Sequence, residues 1–129
     1  MIKKPNFFVM GAPKCGTTSL HGYLRQHPEI YVPRMKEIHF FGDDLPFRQG
    51  LIKRTVDNEE KYLSLFSEAE SEKAIGDVGV WYLYSKKAPY QIKKFSPVAR
   101  AIVMLRNPTE AMYSFHSTLL FSNKENISD

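Results

Sequence analysis

A short apolar run followed by a glycine-bearing turn is the feature that most restricts how this chain can fold. The run, Phe7 to Met10, predicts a buried strand, and the turn after it contains Gly11, Pro13 and Gly16. Thr17-Thr18-Ser19 then begins an amphipathic helical pattern. Because the free N–H groups and the dipole of a helix N-terminus attract negative charge, this order of elements predicts an anion pocket.

The polar residues of the turn add further anion ligands. Lys14 supplies a full positive charge, and Thr17, Thr18 and Ser19 supply hydroxyl donors. In the loop of ATPases the lysine directly follows the second glycine, whereas Lys14 stands two places before Gly16. The loop is therefore predicted to cradle a phosphate with a charge that enters from the loop itself. The alternative is a tight strand-to-helix turn that exposes an incidental lysine.

This loop resembles the phosphosulfate-binding loop of sulfotransferases, the enzymes that use 3′-phosphoadenosine 5′-phosphosulfate (PAPS) as sulfuryl donor. The match is the segment Lys14-Cys15-Gly16-Thr17-Thr18. The resemblance implies that the 5′-phosphosulfate is bound by the loop and the first helical turn: Lys14, Cys15, Gly16, Thr17, Thr18 and Ser19. No Cys/His pattern marks Cys15 as a nucleophile, so we interpret it as a loop residue.

A second motif lies after the clearest strand of the chain. Residues 101–105 are continuously apolar, which predicts a parallel strand covered on both faces. Arg106 follows, and Asn107 and Pro108 predict the cap and first residue of a helix. An arginine offers a phosphate a planar, bidentate partner.

This second motif also resembles sulfotransferases, in Val103–Pro108 and in Tyr113-Ser114. The resemblance implies that Arg106 and Ser114 hold the 3′-phosphate of PAPS. The alternative is a salt-bridged arginine beside a helix cap, with Ser114 an ordinary residue of the helix surface.

A third motif, Lys36-Glu37-Ile38-His39-Phe40-Phe41, resembles a segment of heparan sulfate sulfotransferases and their bacterial relatives. The resemblance implies that Glu37 is the general base that takes the acceptor's proton, while Lys14 stabilises charge on the leaving phosphate oxygen. His39 would orient the acceptor or hold Glu37. The alternative is an ion-paired loop with its two phenylalanines in the core.

Residues 76–85 lie where these relatives carry Gly-Glu-x-Ser-Pro-x-Tyr-Leu. Asp77 replaces the glutamate, Gly79-Val80 replaces Ser-Pro, and Val78 stands where some relatives have a lysine. These departures weigh against the heparan sulfate enzymes proper. The aromatic residues of the stretch either line an acceptor cleft or pack in the core: Trp81, Tyr82 and Tyr84.

Strands alternate with helices along the chain, which predicts an α/β fold with a parallel sheet between two helical layers, as in P-loop nucleotide hydrolases. Strands are predicted at 7–10, 29–32, 74–79 and 101–105, and helices at 17–27, 59–68, 85–95 and from 108 onward; residues 45–58 are predicted as loop. Ligands bind at the carboxyl ends of such strands, so Lys14 and Arg106 are expected to face one ligand.

The resemblance bears on the extent of the fold as well. Sulfotransferase domains are about twice the length of these 129 residues. Residues 1–129 are therefore expected to be the N-terminal part of a single, incomplete domain, which binds donor poorly by itself and turns over little.

Composition narrows the classes of partner. Eighteen Lys and Arg against 14 Asp and Glu give a net charge of +4, which suits a small anionic ligand better than a nucleic acid. The single cysteine favours a reducing compartment, and the cytoplasm is the expected location. No apolar run approaches the roughly 20 residues of a membrane helix.

Metal chemistry is not predicted. His21, His27 and His116 lack metal-ligand spacing with each other or with Cys15. A magnesium-dependent NTPase has an aspartate where Arg106 ends its strand.

These observations predict a PAPS-dependent sulfotransferase that acts on a hydroxyl or amine, with a carbohydrate-like acceptor favoured. Two alternatives stay open: a P-loop nucleotide kinase or NTPase, and a non-catalytic nucleotide-binding module. The sequence does not identify the acceptor, which can be a glycan, a lipid, a small metabolite or a peptide tyrosine. It also does not identify the role of Cys15 or the oligomeric state.

Overall fold

A four-stranded parallel sheet forms the centre of the computed structural model, which describes residues 3–47 and 52–122. The strands are β1 (Phe7–Gly11), β2 (Ile30–Tyr31), β3 (Ala74–Val78) and β4 (Arg100–Val103). Their order in the sheet is β2-β3-β1-β4, so β1 lies between β3 and β4. The predicted α/β fold with a parallel sheet is confirmed.

The helices are α1 (Thr17–Leu24), α2 (Glu59–Ser64), α3 (Ala88–Phe95) and α4 (Pro108–Phe121), with a short 3-10 helix at Tyr82–Tyr84. Side-chain hydrogen bonds to backbone amides lie at the start of three of them. Asn58 accepts a hydrogen bond from the Lys61 amide at α2, and Ser85 accepts one from the Ala88 amide at α3. At α4, Asn107 caps the helix and Pro108 is its first residue, as the sequence predicts.

Two of the helices end earlier than predicted. After Leu24, the amides of Gln26 and His27 bond to carbonyls three residues back, so α1 tightens into 3-10 geometry before it reaches Pro28. The segment after Ser64 ends in the same way. At its other end, α3 starts three residues later than predicted, with Lys87 as its N-cap, and the Ser85 hydroxyl accepts hydrogen bonds from the Lys87 and Ala88 amides.

The core lies on both faces of β1, whose side chains alternate between two apolar clusters. Phe8 and Met10 pack on one face, in the cluster that holds Tyr62, Phe66 and Tyr82. Phe7 and Val9 pack on the other face against Val32 and Val78, with Leu20 and Leu24 of α1 beside them. The predicted three-layer arrangement therefore exists around β1.

A glycine of β3 leaves room for the Phe7 ring of the neighbouring strand β1. A Cβ atom added to Gly76 would lie 2.1 Å from the Phe7 ring, far inside van der Waals contact. The neighbouring strand therefore has no room for a side chain at position 76.

The prediction that residues 101–105 are covered on both faces is wrong for this structure. β4 is an edge strand among the described residues, and Ile102 is 38% exposed, Val103 44% and Leu105 75%. Met112 on α4 is also exposed. The apolar run correctly predicts a strand but does not reveal what covers it. Of the predicted loop 45–58, residues 48–51 lie outside the described residues, and residues 52–58 contain no helix or strand.

Candidate active site

The loop between β1 and α1 has the backbone of an anion cradle. Gly16 is the N-cap of α1 in a left-handed conformation, with φ of 87°, which favours glycine. Its helix has no side-chain cap, so the amides at the start of α1 are available to a ligand. Lys14 is also left-handed, with φ of 60°. Two such residues close together turn successive N–H groups toward a common point.

The structure brings Arg106 to this loop. β4 pairs with β1 in parallel, so the segments that follow the two strands leave the sheet side by side. Nη1 of Arg106 donates a hydrogen bond to the Lys14 carbonyl at 3.2 Å, and its Nε lies 3.4 Å from the Glu110 carboxylate. The two cationic residues therefore share one end of the sheet, as expected from the topology.

A cavity of about 390 Å³ opens at this end of the sheet. It is lined by residues from all three motifs: Lys14, Gly16, Thr17, Thr18, Ser19, Lys36, Glu37, Arg106 and Ser114, together with Pro13, Val80, Trp81, Phe115 and Thr118. Its volume falls in the range of about 300–1,000 Å³ that small-molecule sites occupy. Cations, hydroxyls and a carboxylate thus surround one space large enough for a nucleotide.

Cys15 and His39 are the two predicted site residues that do not line this cavity. Cys15 is buried, and its thiol contacts the Pro13 carbonyl within the loop. Its place in the site is therefore structural, with its side chain turned toward the protein.

Glu37 projects into the cavity from a strained loop. Its φ is 58°, in the left-handed region that non-glycine residues seldom adopt, and its amide donates to the Val78 carbonyl at 2.9 Å. The side chain is 29% exposed. The backbone is therefore fixed to the end of β3 while the carboxylate keeps access to solvent and to a ligand.

His39 lies behind Glu37. Its Nδ1 is 2.9 Å from the Lys53 carbonyl, which can only accept, so Nδ1 carries the hydrogen. Nε2 lies 3.1 Å from Oε2 of Glu37, close enough for an ion pair although not aligned as a hydrogen bond. Of the two predicted roles for His39, the geometry favours holding Glu37.

The buried carboxylate of Asp77 lies in the core next to residues that contact Glu37 and His39. Tyr62 and Tyr82 both donate to Oδ2 of Asp77, at 2.9 and 2.8 Å. Burial raises the pKa of Asp77 to about 6, against the opposing effect of those hydrogen bonds. The Tyr82 ring also packs edge-on against His39, with centroids 6.2 Å apart. Asp77 thus belongs to a polar core beneath the Glu37 loop.

The three aromatic residues between positions 81 and 84 differ in whether they line the cavity or pack in the core. Tyr82 is fully buried in the core, Trp81 lines the cavity, and Tyr84 is 63% exposed and absent from the cavity wall. The sequence does not show which of these side chains is buried, because the 3-10 helix has neither the period of a strand nor that of an α-helix.

Two contacts were not predicted from the sequence. Nζ of Lys36 donates to the Thr18 hydroxyl at 2.6 Å, which joins the Glu37 loop to α1. Nε2 of the buried His21 lies 2.8 Å from the Pro33 carbonyl and ties the start of the same loop to the helix. The position of Lys36 next to Glu37 is the signal that could have identified it.

In residues 3–47 and 52–122, no group of three or more His, Cys, Asp or Glu side chains is placed to hold a metal ion. Within the same ranges, none of the helices has both the length and the apolar character needed to cross a bilayer.

Comparison with known proteins places this geometry in a family. A solved structure, a sulfotransferase from Alicyclobacillus acidocaldarius, superposes with a TM-score of 0.91 at 38% sequence identity, over 98% of this chain and 54% of the other. The chain belongs to the sulfotransferase family. Human carbohydrate sulfotransferase 15 is 30% identical over 93% of this chain and 28% of its own length.

Two other sulfotransferases match at similar identity. They are the membrane-associated sulfotransferase kil1 of Dictyostelium discoideum, 32% identical over 93% of this chain and 25% of its own length, and mouse heparan sulfate glucosamine 3-O-sulfotransferase 6, 31% identical over 89% and 31%. No protein-family model matches the chain. The chain spans between a quarter and a third of these curated relatives.

Proposed function

We propose that this sulfotransferase homologue transfers a sulfuryl group from PAPS to a hydroxyl or amine of an acceptor. The observation that carries the proposal is the convergence of Lys14, Glu37, Arg106 and Ser114 on one cavity. Residues separated by up to 100 positions in the chain meet there, and each is of the type that its proposed role requires.

The donor carries negative charge at its 5′-phosphosulfate and at its 3′-phosphate. The cavity has one cationic residue for each of them, Lys14 and Arg106. The loop from Lys14 to Ser19 holds the 5′-phosphosulfate through backbone amides, hydroxyls and the Lys14 ammonium. Arg106 holds the 3′-phosphate together with the Ser114 hydroxyl. Arg106 is already fixed by its bond to the Lys14 carbonyl, which relates the two ends of the donor site to each other.

Transfer requires one bond to form at sulfur as another breaks. The acceptor's oxygen or nitrogen attacks the sulfur, the bond between sulfur and the bridging phosphate oxygen breaks, and the electron pair stays with the phosphate. Glu37 accepts the acceptor's proton, and Lys14 stabilises the charge on the leaving phosphate oxygen. His39 positions Glu37 through their 3.1 Å contact. The proposed transfer uses no metal ion.

The acceptor is proposed to be a carbohydrate. The curated relatives include a carbohydrate sulfotransferase and a heparan sulfate glucosamine sulfotransferase, and the Glu37 segment resembles that of the heparan sulfate enzymes. Trp81 and Phe115 on the cavity wall offer flat apolar surfaces of the kind that pack against sugar rings. A cytoplasmic location stays a prediction from the single cysteine.

The expectation that residues 1–129 are one part of a larger sulfotransferase domain also stays a proposal. The apolar side chains of β4 and α4 support it, because Leu105, Met112 and Phe121 are largely exposed. A further part of the fold would cover these side chains and close the donor site beside Arg106.

Ligand titration tests the donor assignment. Trp81 is the single tryptophan and lines the cavity, so its fluorescence reports binding directly. Adenosine 3′,5′-bisphosphate is expected to bind in the presence of EDTA and to bind more tightly than adenosine 5′-phosphate. Preferential, magnesium-dependent binding of ATP would instead support the kinase or NTPase alternative.

A single substitution separates an enzyme from a binding module. Glu37→Gln keeps the shape of the side chain and removes its basicity, so nucleotide binding is expected to persist while sulfuryl transfer falls by at least about 100-fold. The assay is transfer of labelled sulfate to a panel of carbohydrate acceptors. Equal transfer by wild type and variant would remove Glu37 from its proposed role.

A further inference from the structure

Lys36 is a cation on the cavity wall, and the proposed reaction gives it no role. It lies in the loop after β2, directly before Glu37, and lines the same cavity as Lys14. Its Nζ donates to the Thr18 hydroxyl at 2.6 Å. Thr18 is the second residue of α1, so this contact places the ammonium group at the mouth of the anion cradle.

The contact leaves both partners able to bind an anion. An ammonium group has three donors, and the bond to Thr18 uses one of them. Because Thr18 accepts that bond through its oxygen, its own hydroxyl hydrogen is directed elsewhere and is polarised by the nearby positive charge. A phosphate or sulfate oxygen at the helix N-terminus can therefore receive hydrogen bonds from Lys36 and Thr18 together.

The end of β3 holds the residue next to Lys36 but brings no charged side chain to the cavity. Val78 is buried at the end of β3, and its carbonyl receives the Glu37 amide. Its side chain packs in the core with Phe7 and Val9, and no residue of β3 lines the cavity, so this strand supplies no charge to the donor. Lys36, held one residue before the Glu37 amide, brings a positive charge to the cavity from the adjoining loop.

We propose that Lys36 is a second lysine of the 5′-phosphosulfate site, which binds the sulfuryl end of the donor and joins the base-bearing loop to it. This inference rests on the proposed sulfotransferase function and assigns a residue that the sequence motif left without a role. As the sulfur–oxygen bond breaks, Lys14 and Lys36 share the charge that builds up on the phosphate. Lys36 also fixes the distance between the bound donor and Glu37.

Trp81 fluorescence titrations test the assignment with three ligands: PAPS, adenosine 3′,5′-bisphosphate and adenosine 3′-phosphate. Lys36→Met is expected to weaken PAPS binding about tenfold, as expected for one charge-assisted hydrogen bond, and to leave adenosine 3′-phosphate within twofold of wild type. Lys36→Arg, which keeps the charge, is expected to bind PAPS within about threefold of wild type. The matched control is Lys94→Met, an equal change in net charge at an exposed site on α3.

The outcomes separate this inference from the proposed function. If wild type binds none of the three nucleotides, the donor assignment itself is wrong, and Lys36 loses its role with it. If wild type binds PAPS and Lys36→Met binds it equally well, the Lys36 assignment alone is overturned. Equal weakening of all three ligands, or equal loss in Lys94→Met, also overturns it, because the effect would then be one of overall charge.

Discussion

The buried carboxylate of Asp77 has a predictable effect on how stability depends on pH. The side chain has no measurable exposure, and Oδ2 accepts hydrogen bonds from the hydroxyls of Tyr62 and Tyr82. Within residues 3–47 and 52–122, the buried Oδ1 has no hydrogen-bond partner. Ionisation of such a group is costly, and burial accordingly raises its pKa from 3.8 to about 6.

Proton linkage gives the sign and size of the contribution of Asp77 to the free energy of unfolding. The folded state holds the Asp77 proton more tightly than the unfolded state, so stability is lost as pH rises from the unfolded pKa toward the folded one. A difference of about two pKa units at about 1.4 kcal/mol each gives about 3 kcal/mol in total. Of this, about 2 kcal/mol falls between pH 4.5 and pH 7.5, because the unfolded chain is already partly ionised at the lower value.

Asp77→Asn isolates this contribution. The amide oxygen can accept from both tyrosines, and its NH₂ group takes the place of the unpartnered Oδ1, at a cost of about 1–3 kcal/mol that does not depend on pH. The absolute change in stability is therefore less informative than its variation. We expect the free energy of unfolding of the variant, minus that of wild type, to rise by about 2 kcal/mol from pH 4.5 to pH 7.5.

The measurement is urea unfolding of both proteins at the two pH values, followed by far-UV circular dichroism. Asp57→Asn is the control, because Asp57 is exposed on the loop before α2 and should change little at either pH. A difference between Asp77→Asn and wild type that is the same at both pH values would refute the argument. A difference that falls with pH would show that the carboxylate is stabilised in the folded protein.

Three further changes test the site and the fold. Arg106→Lys removes the bidentate geometry, so the affinity for adenosine 3′,5′-bisphosphate should fall at least tenfold in Trp81 titrations while that for adenosine 5′-phosphate changes little; equal losses would remove Arg106 from the 3′-phosphate. Gly76→Ala should lower the free energy of unfolding in urea by about 1–3 kcal/mol, since its Cβ would overlap the Phe7 ring, whereas an unchanged midpoint would mean that the two strands separate easily. Ser85→Ala should cost about 1–2 kcal/mol, because the Lys87 and Ala88 amides at the start of α3 lose their hydrogen bonds to the Ser85 hydroxyl. It should also flatten the loss of stability below pH 4, because the Ser85 hydrogen bond is the main cause of the lowered pKa of Asp44; unchanged acid sensitivity would exclude that contact.

The elements that surround the cavity could be predicted because local chemistry determines them. The run from Phe7 and the glycine at position 16 predict a strand, a left-handed turn and a helix, and Asn107-Pro108 predicts the start of α4. Parallel order then predicts that the segments after β1 and β4 lie side by side, as the bond from Arg106 to the Lys14 carbonyl shows. Each of these steps depends on neighbouring residues or on a general rule of sheet topology.

The features that could not be predicted depend on contacts between distant residues. Nothing near residue 102 in the sequence indicates that β4 is an edge strand with exposed apolar side chains. The ends of α1 and α2 were predicted too late because the helical period continues after the hydrogen bonds have shifted to 3-10 spacing. The Lys36–Thr18 contact joins the first turn of α1 to the irregular segment after β2, 18 positions further along the chain, so no periodic signal identifies it.

The loop of residues 37–39 is held in its conformation by contacts with residues that are distant in the sequence. Glu37 and His39 both adopt left-handed φ values, 58° and 54°, and each non-glycine residue of this kind costs about 1–3 kcal/mol. The loop keeps this conformation because its neighbours hold it from several sides. The Val78 carbonyl binds the Glu37 amide, the Lys53 carbonyl binds the His39 ring, and Ile38 between them is fully buried. With the intervening apolar side chain anchored in the core, the two polar side chains turn toward each other, and the proposed base is held in place before any ligand arrives.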